Sequence, residues 1–84
     1  MKVKELISTY NCLIDNHTVY VKVETSSGDY VFTMADAEDF EKENPHIFEK
    51  EVGVWHYSDD ATPYDYYSPE SNSSTLYIAI FKPL

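Results

Sequence analysis

The stretch from Thr18 to Thr33 most constrains the fold, because it has the pattern of a β-hairpin. In residues 18–25, three valines alternate with residues that are polar or partly polar. This period of two is typical of a strand with one buried face. Ser26-Ser27-Gly28-Asp29 predicts the turn, since Gly28 is free to adopt a positive φ. Residues 30–33 then return as the second strand, so a sheet is the centre of the predicted fold.

Two helices are expected to cover this sheet. Apolar residues at i, i+3, i+4 and i+7 give residues 2–10 the pattern of an amphipathic helix. A second helix is expected to begin at Thr33, the predicted N-cap, because the acids that follow suit the positive end of a helix dipole. Asn44-Pro45 should end it. The apolar pair Ile47 and Phe48 then returns to the core.

Two further strands are predicted in the second half of the chain. Residues 52–57 alternate as a third strand, and residues 75–81 form a fourth strand that is apolar on both faces. Such a strand is typical of a central position in a sheet. Between them lies a long acidic and aromatic loop, residues 58–74. The prediction is a single α+β domain over residues 1–84, with an antiparallel sheet of about four strands, two helices and the order α-β-β-α-β-β.

The two faces of this sheet are expected to differ. The residues expected to meet the helices are Val19, Val21, Ile78 and Ile80. The aromatic residues expected on the opposite face are Tyr20, Trp55, Tyr77 and Phe81. Two short helices cannot cover both faces, and a large exposed aromatic face marks an interface. Three coverings stay open: a second copy, another protein, or the loop itself.

Charge is distributed unevenly along the chain. The sequence has 15 acids and 6 lysines, with no arginine, which gives a formal net charge of −9. From Asp29 to Glu70 there are twelve acids and two lysines. No cationic stripe is present to displace counterions from a nucleic acid, so direct nucleic-acid binding is not expected. This charge favours a basic partner protein, or it serves solubility alone.

Residues typical of catalytic or metal sites are sparse. Cys12 has only His17 near it in sequence, and His17, His46 and His56 do not have the spacing of zinc ligands. No glycine-rich phosphate loop is present, since the chain has only two glycines. The expectation is therefore a protein that is not an enzyme and has neither cofactor nor metal.

The N-terminus and the lone cysteine indicate in which cellular compartment the protein is expected. Residues 1–5 lack the apolar core and cleavage site of a signal peptide, and no run of 18 apolar residues could cross a membrane. Cys12 cannot form an internal disulfide, which suits a reducing compartment. A soluble cytoplasmic protein that does not bind membranes is expected.

The candidate partner-binding residues combine acids with large aromatic side chains. Carboxylates would attract a basic surface, and tyrosine and tryptophan supply rigid contact area at low entropic cost. The predicted set is Asp36, Glu38, Asp39, Glu41, Glu43, Trp55, Asp59, Asp60, Tyr64, Asp65, Tyr66 and Tyr67. The alternative for the loop members is a soluble insertion that contacts no partner.

The order of these elements resembles that of small phage and prophage proteins of Gram-positive bacteria. The likeness lies in Val3-Lys4-Glu5-Leu6-Ile7, the hairpin Val19 to Phe32 and the closing Leu76-Tyr77-Ile78-Ala79-Ile80. It implies a phage accessory role, in the cytoplasm of the host cell. In composition, the acid excess is similar to that of DNA-mimicking inhibitors of CRISPR nucleases and restriction enzymes. That likeness assigns no residue a role.

Three functions are consistent with these observations. The first is a non-catalytic phage or mobile-element protein that binds a basic, nucleic-acid-binding host protein through an acidic and tyrosine-rich surface, and inhibits it. The second is a structural domain that oligomerises, as a homodimer, through the aromatic face of the sheet. The third is capture of a small ligand by the aromatic cluster, although the lack of arginine disfavours a phosphorylated one.

Overall fold

Four strands form one mixed sheet in the computed structural model of the chain, which describes residues 1–10, 18–59 and 73–80. In chain order the elements are α1 (Val3–Thr9), β1 (Thr18–Thr25), β2 (Gly28–Thr33), a turn of 3-10 helix (Met34–Asp36), α2 (Ala37–Glu43), α3 (Pro45–Phe48), β3 (Val54–Asp59) and β4 (Ser73–Ala79). The α+β class is confirmed. So is the hairpin of β1 and β2, in which Gly28 has a φ of +134°.

The strand order is β2-β1-β4-β3, and it corrects the prediction of an antiparallel sheet. β2 is antiparallel to β1 and β3 is antiparallel to β4, but the two central strands, β1 and β4, are parallel. The long chain between β1 and β4 makes this possible, because parallel neighbours need an extended crossover. The pairing sets Val21 beside Leu76 and Val23 beside Ile78, so the most apolar strands meet. The predicted central position of β4 is confirmed.

Three helices cover one face of the sheet, so the prediction of two helices, and with it the predicted element order, is wrong. The Asn44-Pro45 break does end α2, but Pro45 also begins α3, a position that proline favours because its missing N–H is not needed there. Thr33 precedes the 3-10 turn rather than α2. Its hydroxyl donates to the Asp36 carboxylate at 2.8 Å and caps no backbone N–H.

The core lies between the sheet and the helices. Its centre is Leu6 of α1, Ile47 of α3, and Leu76 and Ile78 of β4, all at most 1% exposed. The expected burial of Phe48 beside Ile47 is confirmed. The complete set of buried hydrophobic residues is Val3, Leu6, Ile7, Val19, Val21, Val23, Phe32, Met34, Ile47, Phe48, Leu76, Ile78 and Ile80.

The register decides which face each aromatic residue occupies, and it corrects the prediction for Trp55. Trp55 pairs with Ile78, and paired residues share a face, so Trp55 lies on the helix face. Tyr20 and Tyr77 belong to the opposite set, as predicted. Phe81 lies outside the described residues. The error arose because β3 has a hydrophobic residue on each face, Val54 on one and Trp55 on the other, so only its pairing with β4 distinguishes the faces.

The outer boundaries of the long loop also change. β3 begins and ends two residues later than predicted, and β4 begins two residues earlier. The predicted loop 58–74 therefore loses two residues at each end to these strands, and residues 60–72 lie outside the described part of the chain.

The N-terminus is held against the segment that precedes β3. The Val3 N–H donates to the Lys50 carbonyl at 2.9 Å, and the Val52 N–H donates to the Met1 carbonyl at 2.8 Å. These bonds fix the start of α1 beside the end of α3. In the described ranges, no helix has both the length and the apolar character required to cross a membrane.

Candidate functional site: the acidic helix α2

Helix α2 lies over the β2 edge of the sheet and is held there by one aromatic side chain. The Phe40 ring stacks on Phe32 with centroids 4.3 Å apart, and it also lies near Tyr30 and Phe48, at 6.0 and 6.1 Å. No residue of α2 is fully buried. The helix is therefore a surface element, and most of its side chains are available to a partner.

The five acids predicted in this region lie together on α2 and the turn before it. Asp36, Glu38, Asp39 and Glu43 are exposed, and Glu41 is half-buried. Because Phe40 must face the sheet, the acidic residues on either side of it project outward. Glu38 and Asp39 also occupy the first turn, where the helix dipole stabilises carboxylates.

The acids divide between two flanks of α2. Glu38 and Glu41 are three residues apart and line one wall of a shallow groove of about 170 Å³ between α2 and α1. Asp39 and Glu43 are four residues apart and share the other flank. The rest of the groove is lined by Lys4, Ile7, Ser8, Ala37 and Phe48.

The cations nearest to the N-terminus are bound to acids outside α2. The Lys2 and Lys4 ammonium groups contact the two oxygens of the Glu49 carboxylate at 2.9 and 2.8 Å. The N-terminal ammonium contacts Glu51 at 2.8 Å. The hydrogen bonds from Lys4 and then Lys2 lower the pKa of Glu49 to about 2. The acids that follow α3 thus take up the positive charge of α1.

The acids of α2 receive no such compensation within the described residues. The four ion pairs of that part involve Glu49, Glu51 and Asp29, and none reaches α2. Glu38 and Lys42 are four residues apart on α2, but no ion pair within 4.0 Å joins them. Residues 36–43 carry five acids and one lysine. The result is an anionic surface that can accept charge-assisted hydrogen bonds from lysine or arginine.

Trp55 belongs to a separate aromatic cluster, the aromatic corner, formed by Tyr10, Trp55 and Tyr57. Tyr10, which follows α1, stacks on Tyr57 with centroids 5.0 Å apart and meets Trp55 edge-on at 5.5 Å. Tyr57 is half-buried, whereas Trp55 is 42% exposed. The corner attaches the end of α1 to β3.

The structure does not bring all of the predicted partner-binding residues together. α2 lies against β2, whereas Trp55 and Asp59 lie on β3, at the opposite edge of the sheet. Three strand spacings separate the two edges, about 14 Å. The other predicted members, Asp60, Tyr64, Asp65, Tyr66 and Tyr67, lie outside the described residues.

Sequence reasoning missed two arrangements that depend on distant residues. Glu49 pairs with Lys4 and Lys2, which precede it by 45 and 47 positions, and no local sequence pattern predicts such contacts. The aromatic corner was missed because Tyr10 continues the apolar stripe of α1 and therefore reads as an ordinary core residue. Its only signal was that Tyr10 is the one aromatic residue in that stripe.

The described residues bring no group of three His, Cys, Asp or Glu side chains close enough to hold a metal ion. Cys12 and His17 lie outside these residues, while His56 lies on the face opposite the helices, where its ring stacks on Tyr77 at 5.9 Å.

Comparison of the chain with protein-family models, with curated proteins and with solved structures finds no match.

Proposed function

We propose that this chain is a non-catalytic phage or mobile-element protein that binds a basic, nucleic-acid-binding protein in the cytoplasm of its host. The acids on α2 take the place of nucleic-acid phosphates on that protein, and the complex inhibits it. The binding surface consists of Asp36, Glu38, Asp39, Glu41 and Glu43.

The observation that carries this proposal is the contrast between α2 and the N-terminal ion pairs. Lys2 and Lys4 both contact Glu49, within 2.9 Å, and neither forms an ion pair with an acid of α2, although Lys4 lines the same groove as Glu38 and Glu41. The exposed carboxylates of α2 have no cationic partner among the described residues. Such a surface attracts a cationic protein and increases its association rate.

The test is a pull-down from a lysate of the natural host, with mass spectrometry of the captured proteins. Two double variants are compared with the wild type, and each removes two negative charges. Asp39→Asn/Glu43→Gln changes α2, and Glu5→Gln/Glu24→Gln changes exposed acids on α1 and β1. We expect the wild type to capture a basic nucleic-acid-binding protein. The α2 variant should bind it roughly 2- to 30-fold more weakly, because an exposed ion pair contributes about 0.2–1 kcal/mol.

The matched variant should retain capture, and higher salt should weaken the wild-type complex. The proposal is wrong if the captured protein is not basic, or if both double variants bind as well as the wild type. Equal weakening by both variants would mean that only net charge matters, which would exclude α2 as the binding surface.

The loop acids Asp60 and Asp65 lie outside the described residues, so they require their own variant together with Asp59 at the end of β3. Neutralising Asp59, Asp60 and Asp65 together at low salt tests whether the loop contributes to the same surface. A loss of binding would extend the surface to the loop, and unchanged binding would restrict it to α2.

A further inference from the structure

The strand β3 forms an edge of the sheet, and its charged residue, Asp59, stands at its C-terminal end. Residues 52–58 contain no Asp, Glu, Lys or Arg, although a quarter of the chain is charged. β3 pairs with β4 and with no other described strand. Val54 and Trp55 are 56% and 42% exposed. Edge strands are normally blocked by lysine, proline or an inward-pointing charge, and residues 52–58 contain none of these. Asp59, the last residue of β3, is exposed.

The other edge strand, β2, is blocked. Asp29 lies within β2 itself and is half-exposed, with Lys22 3.8 Å away. The acidic helix α2 packs beside this strand, so an approaching strand would meet a concentration of negative charge. The two edges of one sheet therefore differ in their accessibility to another strand.

We infer that β3 is a dimerisation strand, which pairs antiparallel with β3 of a second copy about a two-fold axis at His56. This register sets His56 opposite itself, Val54 opposite Ser58, and Gly53 opposite Asp59 of the second copy. Residues that face each other in this register lie on the same face of the continuous sheet, as antiparallel pairing requires. The Asp59 side chain meets a glycine, which has no side chain of its own.

The same register completes the aromatic corner. Trp55 lies opposite Tyr57 of the second copy, and both residues occupy the helix face. Tyr10 already contacts both rings within its own copy. Pairing therefore brings the exposed part of Trp55 against an aromatic neighbour, and cross-strand aromatic pairs stabilise sheets.

Charge favours a second copy over a strand from a basic partner. A cationic strand would find no carboxylate within residues 52–58. Two copies can meet there even though each carries a charge of −9. The two Asp59 residues would lie six positions apart along the ladder, about 20 Å, which exceeds the screening length of about 8 Å in physiological salt.

The dimer has one continuous eight-stranded sheet in which each β2 is outermost. The two α2 helices then lie at opposite ends of the assembly, and both stay accessible. This inference rests on β3 alone and does not depend on the partner proposed for α2.

Sedimentation velocity of the purified full chain tests the inference. Between about 10 µM and 1 mM, the wild-type mass should rise from 9.7 kDa toward twice that value. Val54→Lys adds a charge at the exposed edge and should raise the dimer Kd at least about tenfold. Ser26→Lys in the hairpin turn is the matched control. It changes the net charge equally and should leave the Kd within about twofold.

A chain that stays monomeric at about 1 mM overturns the inference, and so does an equal response of the two lysine variants. The monomeric result would also be found if β3 receives a strand from another protein.

Disulfide trapping tests the register without relying on the lysine variant. In a Cys12→Ser background, His56→Cys places two thiols opposite each other, with Cα atoms about 4.5–5.5 Å apart, within the range of a disulfide. Val54→Cys places them about 13 Å apart. Mild oxidation should trap the dimer through position 56 and not through position 54. Equal trapping at both positions, or trapping at neither, overturns the register.

Discussion

The two edge strands of the sheet each pair antiparallel with one neighbour, but they differ in surface chemistry. At the β2 edge, α2 covers the strand and presents acids that form no ion pair with a described cation. At the β3 edge, no helix packs outside the strand among the described residues, and residues 52–58 are uncharged. The first edge suits a cationic protein and resists another strand. The second edge suits another strand, and residues 52–58 offer a cation no carboxylate. We therefore propose two independent contact surfaces for this chain of 84 residues.

Shortening a side chain in the core, on which both edges depend, should lower the free energy of unfolding most. Leu76 is fully buried in β4, between Val21 and Tyr57. Leu76→Ala should lower the free energy of unfolding by about 2–5 kcal/mol, because it removes buried methyl groups and leaves a cavity. Urea unfolding measures it, and Val54→Ala is the exposed control, expected within about 0.5 kcal/mol of the wild type. Similar losses in both variants would contradict the assigned core.

Removing the aromatic contact under α2 should affect one edge alone. Phe40→Ala deletes the ring that stacks on Phe32 at 4.3 Å. Because Phe40 is only half-buried, we expect a loss of roughly 2–3 kcal/mol, below the 3–5 kcal/mol of a fully buried phenylalanine. Amide hydrogen exchange should accelerate in residues 37–43, whereas protection in β3 should stay within error. Equal acceleration in β3 would mean that the two edges are coupled.

The part of the fold that was predictable is the part with a local pattern. The valines of β1 alternate with period two, and its predicted bounds, 18–25, match the structure. β4 was placed centrally because both of its faces are apolar. The parallel pairing of β1 with β4 was not predictable. The antiparallel pairs β1–β2 and β3–β4 are each compatible with either direction of β1 relative to β4. Only the complete sheet decides it.

The same limit applies to the candidate site. The acids of α2 were identified as a group because they are neighbours in sequence and share one helix. Their separation from Trp55 and Asp59 depends on the strand order, which brings β1 and β4 together and moves β2 and β3 apart. Local sequence also could not show that Glu49, rather than an acid of α2, binds Lys2 and Lys4.

Removing the N-terminal ion pairs should change the stability of the fold least. The direction in which this contribution varies with pH follows from the pKa of Glu49. Hydrogen bonds from Lys4 and Lys2 lower the pKa of Glu49 from 4.5 to about 2. The carboxylate form is thus favoured in the folded state. Its contribution to stability is fully present above pH 4.5 and is lost as the pH falls toward about 2. A titration of the Glu49 carboxyl carbon by NMR measures this directly.

Lys4→Met removes the larger cause and should raise the pKa of Glu49 toward 4.5. In thermal unfolding, the difference between the wild type and Glu49→Gln should shrink as the pH falls through the same window. Because the pair is exposed, added salt should reduce this difference at neutral pH. A wild-type Glu49 that titrates near 4.5 would show that the contacts to Lys2 and Lys4 do not persist in solution.

Amide chemical-shift mapping shows whether the acidic edge of the sheet is the binding surface. The isotope-labelled chain is titrated with the unlabelled basic protein captured from the host. The largest shifts should fall on residues 36–43 and diminish with added salt, and residues 54–59 should not respond to the titration. Largest shifts on β3, or shifts on α2 that salt leaves unchanged, would contradict this assignment of the binding surface.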